Sequence, residues 1–244
     1  EIGGLTKNLF SLINSLSRKN YKITFITFDK ISENKVGSKL YKFDNNIEVV
    51  TPGIKIKSHK RYLKYFFCFF SLLKYLYKKN YLLISFQSNV LAILAAKLTN
   101  SKIIIRCNTA PSKYISNLIK KIFFKVVYSQ SNKILVTSKD FKIEMKKYFN
   151  LNSIVHRQSL DIEGIKLKSK KKINLNFFKN YKDLKIINVG RLTYQKDIIT
   201  LLKSFAELIK VRNARLLLIG NGSEENKIKK FFKKNKLSAH VKII

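Results

Sequence analysis

The sequence predicts an α/β protein of two Rossmann-like, doubly wound parallel-sheet domains in tandem, the second incomplete. Three observations predict it. Short β-branched and aromatic runs alternate with helical patterns of ten or more residues. That alternation stops in one lysine-dense stretch, 166–185 (KLKSKKKINLNFFKNYKDLK), and restarts after it. Two of the later apolar runs end directly in glycine, at Gly190 and Gly220, as strands do when they turn into a ligand-binding loop.

Element by element, Leu5, Leu9, Leu12, Ile13 and Leu16 recur at helical spacing, and Lys19-Asn20 ends that helix. Residues 21–28 (YKITFITF) read as a strand, with weaker strands at 47–51 and 54–57. A basic, aromatic helix spans 61–79, a buried strand 81–86, a helix 90–98 and a strand 102–106. A helix at 114–127, a strand at 133–137 and a helix at 139–149 complete the first series. After the lysine-dense stretch come strands at 185–189, 215–219 and 241–244, with helices at 198–210 and 224–234. The domains are therefore expected at 1–165 and 185–244, with 166–184 as linker. Both ends read as cut: no Met initiates the chain, a first strand is missing, and the last strand has only begun.

The 244 residues carry a formal net charge of +36. Only seven basic residues are arginine, and the other 43 are lysine accompanied by abundant Asn, Ile, Phe and Tyr. Nucleic-acid readers draw on the planar arginine fork, so this charge reads as compositional rather than as a nucleic-acid interface. An anionic membrane surface or an anionic substrate is the partner it still allows. Cys68 and Cys107 show no CxxC spacing, and the three histidines are scattered, which argues against a disulfide framework, a zinc site or a triad. A reducing cytosol is the expected compartment. No signal peptide opens the chain, and the longest apolar run, 65–73, is too short to span a bilayer.

Three loops could carry chemistry. Gly3 and Gly4 precede a helix, where bare backbone and free N–H groups can receive an anion or simply admit the helix. Gly190, Arg191 and Lys196 follow an apolar strand. A guanidinium and an ammonium at that spacing fit a phosphate clamp, and equally fit two solvated bases in a lysine-rich chain. Gly220 and Gly222 begin a dinucleotide-like fingerprint, but Glu225 stands where its third glycine would be, which favours a plain strand-to-helix turn. There is no GxxxxGK[ST] and no Asp-x-Asp.

These residues together resemble glycosyltransferase family 4, retaining enzymes of GT-B fold. The stretches GGLTKNLFSLINSLSRKNYKITFITF, LLISFQSNVLAILAAKLTNSKIIIRCNTAP and NKILVTSKDFKIEMKKYFN are similar to its N-terminal domain. The most specific stretch, NVGRLTYQKDIITLLKSFAELIKVRNARLLLIGNGSEENKIKKF, is similar to its donor-binding domain.

The resemblance implies transfer of a sugar, with retention, from a UDP- or GDP-sugar to a glycan or lipid-linked acceptor, as in cell-surface polysaccharide or lipopolysaccharide biosynthesis. Arg191 and Lys196 match the pair on the donor diphosphate and are the expected catalytic residues. Gly3, Gly4, Gly190, Gly220 and Gly222 are expected to bind substrate. Arg106 and Asn108 stand where many members carry a histidine and are expected on the acceptor side. No metal and no cofactor are expected. The expected location is cytoplasmic, peripheral on the inner face of the membrane. The family's Glu-x7-Glu segment does not occur, so these 244 residues alone are expected to be inactive. The competing readings are a basic nucleic-acid- or membrane-binding α/β protein, and another GT-B-like enzyme such as a sugar-nucleotide epimerase.

Overall fold

The computed structural model describes residues 4–28, 47–52, 61–78, 81–157, 162–171 and 175–244. They divide into two compact units, Glu1–Leu167 and Lys168–Ile244.

In the N-terminal unit, helix α1 (Gly4–Ser17) leads into β1 (Ile23–Ile26), which pairs in parallel with β2 (Ile47–Val50). Helix α1 buries Phe10, Ile13 and Ser17, a stripe at helical spacing. Helix α2 (Arg61–Lys78) and β3 (Leu82–Ser85) follow, then α3 (Asn89–Leu98), β4 (Lys102–Cys107), α4 (Leu118–Ser129), β5 (Lys133–Val136), α5 (Lys139–Phe149) and β6 (Ile154–Val155). Strands β3 to β6 form a second sheet in sequence order, with every pair parallel. The alternating side chains of β4 and β5 place Ile103, Ile105, Cys107, Ile134 and Val136 against Phe141, Met145 and Phe149 of α5 and Tyr128 of α4.

The expected helix at 114–127 begins later. Pro111 starts a single 3-10 turn, and the Asn117 side chain accepts the Lys120 N–H at 2.9 Å, which caps α4 at Leu118. Tyr114, ahead of the helix, packs its ring edge-on against Phe124, at 4.9 Å between centroids. The two-residue strand β6 was not expected; it is too short to show a period. The expected strand at 54–57 lies outside the described residues.

Helix α6 (Ile162–Ser169) and a 3-10 turn at Asn176–Phe178 occupy part of the stretch that reads as linker. In the C-terminal unit β7 (Leu184–Val189), β8 (Ala214–Ile219) and β9 (Val241–Ile243) form a parallel sheet in sequence order. Helices α7 (Ile198–Val211) and α8 (Glu225–Lys234) connect the strands. Leu202 and Phe205 of α7 and Ile228 and Phe232 of α8 bury against Leu216 and Leu218 of β8. On the other side of β8, Arg215 donates to the Phe177 carbonyl at 2.6 Å and lies over the Tyr181 ring at 4.2 Å. That contact gives the otherwise irregular segment before β7 a fixed seat.

Candidate functional site

The carboxyl ends of β7 and β8 carry the first site. Residues 190–192 leave β7, and residues 220–222 leave β8. Gly190 N–H donates to the Ile219 carbonyl at 3.0 Å, Leu192 N–H to the Asn221 carbonyl at 2.8 Å, and Glu224 N–H to the Leu192 carbonyl at 2.9 Å. The two loops are thus laced to each other through backbone, and Leu192 is fully buried beneath them.

Both later glycines are demanded by this lacing. Gly220 sits at φ +138°, and a Cβ there would overlap the Gly190 carbonyl. A Cβ on Gly222 would overlap the Leu192 carbonyl and stand 2.8 Å from the Leu192 nitrogen. Sequence reading treated 220–222 as a turn or a ligand loop. Here the two glycines act by letting one loop lie on the other, which holds Arg191 in place.

Arg191 and Lys196 are exposed, at the two ends of a short excursion between β7 and α7. Residues Tyr194–Lys196 make one 3-10 turn, and Asp197, at φ +44°, caps α7 by accepting the Thr200 N–H at 3.4 Å. The Arg191 Nη2 rests on the Gln195 Oε1 at 3.4 Å, a long contact that costs little to exchange for a ligand. The Lys196 stem runs beside Gly190, its Cε 3.9 Å from where a Cβ would project. Two cations are therefore presented at the end of a parallel strand, before the N-terminus of a helix, where open α/β sheets receive ligands.

The ends of β3 and β4 carry a second constellation. The Asn89 amide donates to the Arg106 carbonyl at 3.1 Å, and its Oδ1 lies 2.7 Å from the Ser85 hydroxyl. The Asn108 amide donates to the Phe86 carbonyl at 2.8 Å. These asparagines stitch the two strand ends together. Asn89 was not singled out from the sequence, although it lies within ISFQSN, one of the stretches that carries the family resemblance.

Arg106 is 2 % exposed, and its Nε and Nη2 have no hydrogen-bond partner. Its guanidinium lies over the Phe86 ring, 5.2 Å from the centroid. An uncompensated buried charge costs about 3–5 kcal/mol. A ring contact returns about 0.5–2 kcal/mol, so Phe86 offsets only part of it. Burial accordingly lowers the Arg106 pKa from its ordinary value. On the opposite face, burial pushes the Cys107 thiol up to about 12, against a smaller opposing effect of the Asn89 amide. That thiol is protonated at neutral pH and is a packing residue, not a nucleophile.

Of the remaining expected site residues, Gly4 is the first residue of α1 and Gly3 lies outside the described residues. Among the described residues no cluster of three or more His, Cys, Asp or Glu could hold a metal ion.

Solved structures of GT-B glycosyltransferases share this fold. The Anabaena protein Alr3699/HepE, solved with UDP and glucose, matches with a TM-score of 0.66 at 13 % identity, over 100 % of this chain and 66 % of that one. A glycosyltransferase from Rickettsia africae matches with a TM-score of 0.60 at 16 % identity, over 100 % and 65 %. The lipopolysaccharide outer core galactosyltransferase WaaB matches with a TM-score of 0.57 at 14 % identity, over 91 % and 67 %. No curated protein matches the chain in sequence. Residues 169–244 match the family described as Glycosyl transferases group 1. The chain spans 66 % of the length of HepE.

Proposed function

We propose that this protein transfers a sugar from a nucleotide-diphosphate sugar to a glycan or lipid-linked acceptor, with retention. The observation that carries this is the loop at 190–192, laced to 220–222 so that Arg191 and Lys196 stand at the end of β7. As the bond between the anomeric carbon and the diphosphate oxygen breaks, negative charge builds on the leaving phosphate. A guanidinium fork and an ammonium fixed in advance stabilise that charge without reorganising. In this reading the two cations do that work and no metal takes part. The solved relatives support the donor class: HepE was solved with UDP and with UDP-glucose. WaaB, named for lipopolysaccharide outer core, supports a place in cell-surface glycan synthesis.

Diphosphate recognition is tested by titrating UDP and uridine into the protein by calorimetry. UDP is expected to bind at least tenfold tighter at low salt, the margin shrinking as ionic strength rises, because both cations are exposed. Equal affinities would remove the clamp from the account.

A peripheral position on an anionic membrane is part of the same proposal. No described helix is long and apolar enough to cross a membrane. Helix α4 exposes Leu118, Ile119, Ile122, Phe123 and Val126 beside Lys120, Lys121 and Lys125, and α2 exposes Tyr62, Phe66, Phe70 and Tyr77. Apolar faces set among lysines suit a headgroup boundary at the inner leaflet. The double variant Ile119→Ser/Phe123→Ser is expected to lose most of its flotation with vesicles rich in phosphatidylserine while keeping its melting temperature. Unchanged flotation would contradict a role for α4.

A further inference from the structure

We propose that Arg106 is the receptor for a phosphate-type oxyanion, gripped by the Nε–Nη2 edge of its guanidinium at the ends of β3 and β4. Nε and Nη2, both buried without a hydrogen-bond partner, are the pair on a single edge of the group. That edge presents two parallel N–H donors at the spacing of two oxygens on one phosphorus or carboxylate carbon. A structural arginine spends this edge on a carboxylate or on backbone carbonyls, and here it is spent on neither. Among the described residues no carboxylate meets this edge: Glu48 accepts from Thr24 and Tyr75, Glu144 accepts from the Ser112 N–H, and Asp140 is exposed.

The surroundings are also built to hold the group still. Phe86 supports one face of the guanidinium. The Asn89 amide fixes the Arg106 carbonyl, and the Asn108 amide fixes Phe86, so both amide groups are occupied in positioning the arginine. Arg106 belongs to the N-terminal unit, whereas Arg191 and Lys196 belong to the C-terminal unit. We therefore assign the oxyanion to the acceptor, a substrate bearing a phosphate, an assignment that rests on the transferase reading. The site itself does not depend on that reading.

The test uses the whole chain, labelled with 15N-arginine, with inorganic phosphate as the probe and the Arg106 Nε–H resonance as the readout. Phosphate is expected to shift that resonance saturably, and at a hundredfold excess over its dissociation constant to raise the melting temperature by about 5 °C. Arg106→Met, which removes a buried charge, is expected to melt no lower than the parent without phosphate and to lose most of the phosphate-induced rise. Should that variant not fold, Arg106→Lys keeps the charge and loses the fork, and is expected to bind phosphate about tenfold more weakly.

An Arg106 resonance that does not move would overturn the proposal. So would a rise in melting temperature that both variants retain, since that places phosphate on surface lysines. UDP added to the phosphate-saturated protein separates the sources. An unmoved Arg106 resonance supports the acceptor, and displacement of phosphate overturns that assignment in favour of the donor. Loss of UDP binding in the Arg191 variant described below tests the donor site independently, so either reading can fail alone.

Discussion

Gly222→Ala is expected to cost the C-terminal unit about 3 kcal/mol or more, enough to lower its melting temperature by roughly 10 °C or to prevent its folding. The new Cβ would meet the Leu192 carbonyl carbon and oxygen and the Leu192 nitrogen, which are backbone atoms with no rotamer to give way. Leu192 cannot retreat, because its side chain fills the core with Leu202, Leu216 and Ile228 and both its backbone polar groups are bonded. Gly220→Ala is expected to be comparably damaging, since φ +138° is strained for any residue with a side chain. Gly190→Ala supplies the contrast. Its Cβ would meet only the Lys196 stem at 3.9 Å, an ordinary contact, so the melting temperature is expected to stay within about 1 °C. Circular dichroism melts of the three variants check this ordering, and equal losses at all three glycines would contradict the lacing of the loops.

Arg191→Met is expected to weaken UDP binding by about 10- to 100-fold, as a charge-assisted pair of hydrogen bonds is worth about 1.5–3 kcal/mol. Arg191→Lys should recover only part of this, since an ammonium cannot fork. Lys196→Met is expected to cost less, about tenfold, and more of that loss should vanish in salt, because a lysine acts as a point charge. The folded state should be indifferent to all three. Arg191 and Lys196 are exposed, and among the described residues the Arg191 side chain bonds only to Gln195, at a long 3.4 Å. A fall in UDP affinity together with an unchanged melt separates a binding role from a structural one.

Most of the fold could be read from the sequence because strands such as KILV at β5 and ARLLLI at β8 are short, apolar and bounded, and the helices between them keep a 3.6-residue period. Helix α5 begins and ends where the pattern predicts, with Ser138 capping one end and Asn150 in the left-handed region at the other. The start of α4 was missed because the aromatic at 114 continues the helical spacing while Asn117 interrupts the backbone; a cap outweighs a pattern.

At the site, residue type and spacing left Arg191 and Lys196 open between a phosphate clamp and two solvated bases, the family resemblance favoured the clamp, and only the backbone shows why Gly220 and Gly222 must be glycine. Arg106 illustrates what periodicity cannot report. The family resemblance placed Arg106 on the acceptor side, but its burial is set by Phe86, which the pairing of β3 with β4 brings beside it and the Asn108 amide holds. On α4, Leu118, Ile119 and Ile122 lie on the surface although they are apolar.

The most direct test of the donor site is a 15N-resolved titration of the protein with UDP, following backbone amides throughout the chain. The account predicts that the largest saturable shifts fall on residues 190–197 and 220–222. It also predicts that they collapse in the Arg191→Met/Lys196→Met double variant, whose spectrum is otherwise unchanged. Saturable UDP shifts that survive in the double variant, or that centre away from the ends of β7 and β8, would contradict it.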